Sequence, residues 1–282
     1  PQVLYAIKMG YIAYVNKGRK LKRARSMLKL IEQGSIDACF TSPYLWMELM
    51  RLEMINDLPS TLHTILLGSA PVTRGFLKKL TEVTASETSI FCIYGMTEVG
   101  VIATVEASEK VSWTGDGDLV GQVVKGVDVQ LKESDGDFGE ICVQSPSLYT
   151  GYLGKEPRAA DESLKTGDLG RWEEMNGQQM LVLVGRLKDM IIRNGFNLYP
   201  QTFESKLLEE IQGSGETVRQ CALVGVWNAE RSDEDVVLFV ERTASTIETS
   251  KILSIASTVC GVQAAPDYCF ALEQFPVTGR QN

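Results

Sequence analysis

Histidine is nearly absent: His63 is the only one among 282 residues. That excludes a histidine-based metal centre and argues against a Ser-His-Asp relay, which needs an imidazole at its middle. His63 itself is placed at the start of a strand and reads as a structural or surface residue. No two of the six cysteines (Cys39, Cys92, Cys142, Cys221, Cys260, Cys269) form a Cys-x-x-Cys pair, and most sit inside apolar runs. They read as small buried hydrophobes of a protein kept in a reducing compartment, so a cytoplasmic location is expected. No apolar run is long enough to span a bilayer, and no signal peptide is visible. A surplus of cations is missing too: 28 Lys and Arg stand against 36 Asp and Glu, a net charge of −8. This argues against a broad nucleic-acid-binding face. The basic cluster from Lys17 to Arg25 departs from that balance; it reads as a solvated loop and helix start, with a phosphate or membrane-surface contact as the alternative. Pro1 is not a natural start, so the chain is expected to be an excerpt whose beginning lies elsewhere.

What is present is ordinary for a globular protein: 44% hydrophobic and 23% charged residues, in a chain able to bury one large core or two smaller ones. The most informative stretch is Tyr94-Gly95-Met96-Thr97-Glu98-Val99-Gly100, which follows the apolar run from Ser89 to Ile93. The run reads as a buried strand. Glycines let the backbone turn and approach a ligand closely. Thr97 offers a hydroxyl and an N–H to an anionic oxygen, Glu98 a hard oxygen for magnesium, and Tyr94 a flat face for a base. The plainer reading is a strand leaving the core through a Gly turn, with Thr97 capping a short helix.

From residue 1 to about 105, helical and strand patterns alternate. Arg25 to Glu32 has helical spacing, Ile36 to Thr41 is a short strand, and Ser42-Pro43 opens a helix expected to reach about Ile55. Its apolar stripe, Leu45, Met47, Leu49, Met50 and Leu52, reads as core packing. A strand from Leu62 to Leu67 ends in Gly68-Ser69-Ala70-Pro71, and a helix from Thr73 to about Thr81 precedes the strand into Tyr94. This alternation implies a mostly parallel sheet with covering helices. In such sheets ligands bind beyond the carboxyl ends of the strands, so Gly68–Pro71 and Tyr94–Glu98 line one crevice. Residues 106–184 change character: short alternating segments (127–131, 139–143, 180–184) between Gly/Asp turns read as antiparallel hairpins forming a small distorted β-barrel. Residues 185–282 alternate again and read as an α+β domain, with helices from Pro200 to about Ile211 and from Ile247 to about Val259. The fold class is therefore α/β, in three parts: 1–105, 106–184 and 185–282.

Two later stretches carry chemistry of their own. Asp168, in Lys165-Thr166-Gly167-Asp168-Leu169-Gly170, stands in a turn where its carboxylate can accept two hydrogen bonds from vicinal hydroxyls or make an Asx-turn. Arg186, in Gly185-Arg186-Leu187-Lys188-Asp189-Met190-Ile191-Ile192, carries a planar fork suited to hydroxyl and phosphate oxygens, or to a surface carboxylate. Asn194-Gly195-Phe196-Asn197-Leu198-Tyr199-Pro200 follows directly.

Taken in order, YGMTE, TGDL and GRLKDMIIRNGFNLYP resemble the adenylate-forming superfamily of acyl-CoA synthetases, peptide-synthetase adenylation domains and beetle luciferases. The resemblance covers nearly the whole chain, but only about the C-terminal half of such an enzyme. It implies an AMP-forming acid–thiol ligase, with ATP or AMP and magnesium at the site and coenzyme A as an acceptor thiol. It further implies that Gly68, Ser69 and Ala70 approach the adenine and the acyl pocket, with Ser69 in place of a family glycine. Tyr94 would stack on adenine, with Gly95 and Met96 beside it; Thr97 would contact the α-phosphate and Glu98 hold the metal. Asp168 would bind ribose, Arg186 ribose or phosphate, and Lys188 would be the hinge of a mobile C-terminal domain. Thr97, Glu98 and Arg186 are the catalytic candidates.

Tyr149-Thr150-Gly151-Tyr152-Leu153 resembles the family's Gly-Tyr segment. The partners implied are a small carboxylic acid, fatty or otherwise acyl, ATP and a thiol, with a carrier protein or a homodimer left open. Three departures stand out. The lysine-bearing phosphate loop is expected before Pro1. In Pro276-Val277-Thr278-Gly279-Arg280-Gln281-Asn282, Asn282 occupies the offset of the family's catalytic lysine. Leu164-Lys165 replaces an aromatic-Arg pair. The rival readings are a non-catalytic acyl or nucleotide binder and an amino-acid adenylation domain.

Overall fold

A computed structural model of the chain describes residues 24–135, 137–159, 161–243 and 247–276. The basic cluster up to residue 23 and the stretch 277–282, with Thr278 and Asn282, lie outside the described residues. The first helix, α1 (Ala24–Gly34), buries Ala24, Met27, Leu28 and Ile31, the i, i+3, i+4, i+7 stripe of an amphipathic helix. It stops where Ser35 turns left-handed at φ 46°, with Ile36 N–H donating back to Ile31 O at 3.0 Å. Strand β1 (Ala38–Thr41) leads into α2 (Pro43–Arg51), which Pro43 opens at its first turn. This helix is shorter than its sequence suggests. Glu53 takes φ 55° and Met54 N–H closes on Leu49 O at 2.9 Å, so the residues up to Asp57 continue as a separate 3-10 turn, Ile55–Asp57. Its buried face also differs: Trp46 and Leu49 are fully enclosed, whereas Met47 is 46% exposed. The indole of Trp46 is placed by a bond to Thr41 Oγ1 at 2.7 Å.

Strands β2 (Thr64–Leu67) and β3 (Ser89–Met96) flank α3 (Arg74–Val83), capped by Thr73, whose side chain accepts from Phe76 N–H. β1, β2 and β3 are parallel, with Ala38, Thr64 and Ser89 in register, as the alternation of elements requires. The direction then reverses. β4 (Gly100–Glu106) folds back antiparallel on β3, so no helix follows Thr97; residues 97–99 are the hairpin turn. After α4 (Ala107–Ser112) come β5 (Asp118–Val123), β6 (Asp128–Asp135), β7 (Phe138–Gln144), β8 (Leu164–Met175) and β9 (Gln178–Arg186). These antiparallel strands join the parallel ones in a single nine-stranded sheet of order β1-β2-β3-β4-β5-β9-β8-β7-β6. The core that Trp46 anchors accordingly runs from α1 across to Leu119 of β5 and Met180 and Val182 of β9.

After Arg186 come a 3-10 turn, Leu187–Asp189, and the hairpin β10 (Ile191–Arg193) and β11 (Phe196–Leu198). Asn194 and Gly195 connect these strands at φ 51° and 76°, the doubly left-handed turn that Asn-Gly favours. α5 (Pro200–Gly213) and α6 (Thr249–Ala264) cover one face of a three-stranded sheet: β12 (Val218–Asn228), β13 (Asp233–Arg242) and β14 (Tyr268–Leu272). Leu207, Ile211, Leu223, Leu238, Ile252 and Ala256 form its core. Within α6 the regular helix breaks at Gly261, where φ is 70°, just past the expected end near Val259, and a short further helical piece follows to Ala264.

Glu204 of α5 tucks beneath β12, where its Oε1 accepts Leu223 N–H at 2.9 Å. Burial first, and then the nearby charge of Asp189, push its carboxyl up to about 7 from 4.5. The folded chain therefore keeps this proton up to about pH 7, while the unfolded chain releases it near pH 4.5. Between those values unfolding releases a proton, and stability falls as pH rises. Urea unfolding of wild type and Glu204→Gln from pH 4 to 8 should show wild type losing up to about 3 kcal/mol relative to the variant. Parallel pH profiles would contradict this placement of Glu204.

Candidate functional site

The site is built from the ends of β2 and β3 and from the β8–β9 pair. β2 runs out at Gly68, whose N–H donates to Thr41 O at 3.2 Å. A Cβ here would meet Ile93 O and the Phe40 ring at 3.3 Å, so the chain after β2 lies directly against the end of β3. Ser69 then takes φ 67°, a left-handed conformation that favours glycine, and Ser69, Ala70 and Pro71 are exposed. Tyr94, Gly95 and Met96 are the last residues of β3 rather than a turn, with a bulge between Tyr94 and Gly95. The bulge depends on glycine: a Cβ at Gly95 would lie 2.1 Å from Gly100 O. It sets the hairpin turn in which Thr97 is exposed and Glu98 half-buried.

Tyr94 and Asp168 are 74 residues apart, yet the phenol donates to Asp168 Oδ2 at 2.8 Å. Arg186, directly opposite Asp168 in the β8–β9 ladder, brings Nε to within 2.8 Å of Oδ1. Asp168 is 7% exposed and Arg186 half-exposed. Asp168 stands in strand β8 rather than in the expected turn, beside an irregularity in the β7–β8 pairing. Thr166 supports it: its hydroxyl donates to Ile141 O at 2.8 Å and accepts Asp168 N–H at 3.1 Å. Gly167, at φ 74°, sends its N–H to the buried Glu140, Oε1, at 3.1 Å. Lys165 stands 3.5 Å from the other oxygen of Glu140. Burial and the charge of Asp168 drive the Tyr94 phenol well above its ordinary value, so it remains a donor at any physiological pH.

A carboxylate has about four lone-pair positions. Tyr94 and Arg186 use one on each oxygen, which leaves one on each for a pair of neighbouring hydroxyls. The guanidinium retains donors for an anionic oxygen.

Glu98 forms a second focus on the same hairpin. Tyr152 donates its hydroxyl to Glu98 Oε1 at 2.6 Å, and that bond raises the phenol to about 12. Among the described residues no three His, Cys, Asp or Glu side chains converge on a metal position. Glu98 could offer a cation one carboxylate, with water completing the shell. That donor set fits magnesium, which keeps several waters and takes one or two carboxylates.

The structure thus brings Gly68, Tyr94, Asp168 and Arg186 into one contiguous row and puts Thr97 and Glu98 on the adjoining turn. Lys188 lies two residues beyond Arg186, exposed in the 3-10 turn. Sequence reasoning assigned nothing to Glu140 or Thr166, and no role to Tyr152. Glu140 lies in an alternating strand like any other, and only the β7–β8 register reveals its partner. Removing the Tyr94 hydroxyl alone should be felt in stability. Tyr94→Phe deletes one bond to a charged group, so urea unfolding should show a loss of about 1.5–3 kcal/mol. A loss below about 0.5 kcal/mol would mean that the phenol and Asp168 are not coupled in solution.

Comparisons with known proteins can be set beside this geometry. Residues 2–153 match the family model described as AMP-binding enzyme. The chain is 30% identical over 237 residues to an acyl-CoA ligase, easD, of Emericella nidulans, covering 79% of this chain and 40% of that protein. It is also 30% identical over 203 residues to a 2-succinylbenzoate–CoA ligase of Lactococcus lactis, covering 70% and 40%. The chain thus spans about 40% of the length of these curated relatives. Among solved structures, an o-succinylbenzoate CoA synthetase of Bacillus subtilis in complex with its acyl-adenylate intermediate aligns over 100% of this chain and 56% of its own, with a TM-score of 0.79 at 20% identity. An amide bond synthetase from Marinactinospora thermotolerans aligns over 90% and 52%, with a TM-score of 0.74 at 23% identity. At such identities these likenesses speak for the fold.

Proposed function

Since this chain belongs to the AMP-binding enzyme family, we propose that it is the nucleotide-handling part of an AMP-forming acid–thiol ligase. The whole enzyme activates a carboxylic acid with ATP and passes the acyl group to a thiol, coenzyme A in our reading. The observation that carries this reading is the Tyr94–Asp168–Arg186 constellation: a pre-oriented carboxylate between an aromatic ring and a guanidinium, beside a turn offering Thr97 and Glu98. That set suits one ligand in order along its length. Tyr94, with Gly68, Ser69, Ala70, Gly95 and Met96, takes the base, Asp168 the ribose diol, and Arg186 and Thr97 the phosphate.

The chemistry follows from the anhydride it makes. A carboxylate is a poor acyl donor because its leaving group would be oxide; as an acyl phosphate ester it expels AMP. A carboxylate oxygen attacks the α-phosphorus, the bond to the β-phosphate breaks, and pyrophosphate leaves. A thiolate sulfur then attacks the acyl carbon and AMP departs. Two anions must be held together for the first step, so the protein's work is positioning and charge compensation. Thr97 donates from its hydroxyl and backbone N–H to the α-phosphate, and Arg186 adds a fixed positive charge at the same place. Magnesium, held by Glu98, would neutralise charge on the phosphates.

The acid is proposed to be fatty or otherwise acyl, a reading supported by the names of relatives such as the long-chain-fatty-acid–CoA ligase of Yersinia pestis. Six cysteines, most of them set in apolar runs, favour the reducing cytoplasm, and no described helix is long and apolar enough to cross a membrane. Neither a carrier protein nor a homodimer is part of the reading, since no observation calls for one.

The region after Lys188 is proposed to swing between the two half-reactions. Among the described residues it meets the rest of the chain through the cluster of Leu169, Val184, Met190 and Tyr199, the edge-on ring pair Phe138–Tyr199, a Thr202-to-Val184 bond and the Arg74–Glu209 ion pair. Its own core is far larger. Both readings meet in one experiment on the full-length protein. Acid-dependent ATP–pyrophosphate exchange and thiol-dependent release of AMP from preformed acyl-adenylate are measured for wild type and Lys188→Pro. Proline fixes φ near −65° and removes an N–H, so one half-reaction should persist and the other fall by at least about tenfold. Wild-type rates for both in the variant would discard the hinge. No exchange by wild type across a broad panel of carboxylic acids would discard the ligase in favour of a nucleotide binder.

A further inference from the structure

Tyr152 is not needed by any step above, yet it is 58% exposed and still makes one of the shortest polar contacts on the site's rim, 2.6 Å to Glu98 Oε1. It stands in residues 145–153, which contain no helix or strand. A tyrosine in an irregular exposed segment would ordinarily sample several rotamers. This one is held by its neighbours. Tyr149 packs edge-on against its ring at 4.9 Å between centroids, and Tyr149 N–H donates to the carbonyl of Glu98 at 2.8 Å. Ser147 Oγ donates to the carbonyl of Val99 at 2.7 Å. Three bonds thus fasten the segment to two consecutive residues of the turn, and two of them reach the backbone and side chain of the same glutamate. The arrangement fixes where the segment lies and, through Tyr152, which way the carboxylate points.

Glu98 is a long side chain with three rotatable bonds on a tight turn, and without a partner its carboxylate would be spread over several positions. A phenol on Oε1 leaves Oε2 open and its direction set. A hydrogen bond from the phenol also compensates part of the negative charge without competing as a cation would. We propose that Tyr152 is a positioning residue for the magnesium site: it locks Glu98 in a rotamer that leaves Oε2 to a divalent cation bound with the nucleotide. The inference rests on the reading of Glu98 as the metal-holding carboxylate. It assigns to a residue outside the β3–β4 hairpin a share of the cation affinity.

The test uses the full-length protein, saturating ATP and Mn2+ as a paramagnetic stand-in for magnesium, with free Mn2+ read by electron paramagnetic resonance. Wild type, Tyr152→Phe, Glu98→Gln and the double variant are titrated, and ATP affinity is measured separately in EDTA. Tyr152→Phe should weaken Mn2+ binding by about tenfold, the low end for groups that orient a metal ligand, while metal-free ATP affinity stays within about twofold. Glu98→Gln should weaken Mn2+ binding at least as much, and adding Tyr152→Phe to it should change nothing further, because the tyrosine acts through the glutamate. If Glu98→Gln weakens Mn2+ binding and Tyr152→Phe does not, the positioning role is wrong and the reading of Glu98 stands. If Glu98→Gln itself leaves Mn2+ binding unchanged, both fall. A loss of metal-free ATP affinity in Tyr152→Phe, with Mn2+ binding unaltered, would make the tyrosine part of the nucleotide pocket and overturn the proposal.

Discussion

Everything proposed for this molecule depends on the carboxylate of Asp168 being held from two sides. It is buried, so leaving it unpaired would cost several kcal/mol. The Tyr94 phenol and the Arg186 guanidinium meet that cost, one on each oxygen. The three residues come from β3, β8 and β9; β8 and β9 pair directly, but β4 and β5 lie between β3 and β9 in the sheet. Tyr94 reaches Asp168 through packing rather than through a ladder: it lies against the core cluster of Ile102, Ile141, Leu164 and Leu181. The site is therefore formed where strands distant in the sheet order share one core.

The backbone around the site carries its own constraints. Gly95 is required by the bulge that aims the hairpin turn, and Gly167, at φ 74°, by the irregular stretch of β8 that presents Asp168. Ser69 accepts a left-handed conformation without being glycine, a strain of the kind that accumulates where a chain must skirt a ligand. On the other side of Lys188 the small sheet is braced by an ionic lattice. Arg193 meets Asp267 at 2.9 Å, Arg231 meets Asp235 at 2.8 Å, and Asp233 and Glu234 receive the N–H groups of Asn194 and Ile192. The bonds from Ile192, Arg193 and Asn194 tie the β10–β11 hairpin to β13 and to Asp267, just before β14, so the proposed swing about Lys188 would carry the hairpin with it.

Much of this was legible in the residues, and the remainder failed for identifiable reasons. The alternation of strand and helix from α1 to β3 is visible because the strands read as short apolar runs between amphipathic helices. The Asn194-Gly195 turn announces its hairpin by chemistry alone. Asp168 and Arg186 stand out by their motifs, but that they face each other follows from the β8–β9 register, which no local pattern records. The early end of α2 was hidden because Leu52 continues the apolar stripe while Glu53, with no sequence signal, takes the left-handed conformation that ends it. Trp46 rather than Met47 faces the core because one helical position, about 100°, decides which of two large residues points inward. Tyr152 and Glu140 were opaque for the same reason as the Asp168–Arg186 contact: their partners lie 54 and 27 residues away.

The central claim is that Asp168 binds the ribose of an adenine nucleotide through the lone pairs that Tyr94 and Arg186 leave free. It is tested most directly by calorimetric titration of the full-length protein with AMP and with its 2′,3′-dideoxy analogue, in wild type and in Asp168→Ala. Two hydroxyl bonds to a carboxylate, each worth roughly 1.5–3 kcal/mol, predict that wild type prefers AMP by at least about a hundredfold and that Asp168→Ala brings the two ligands close to equal affinity. Equal binding of AMP and the dideoxy analogue by wild type, or an undiminished preference in the variant, would contradict it.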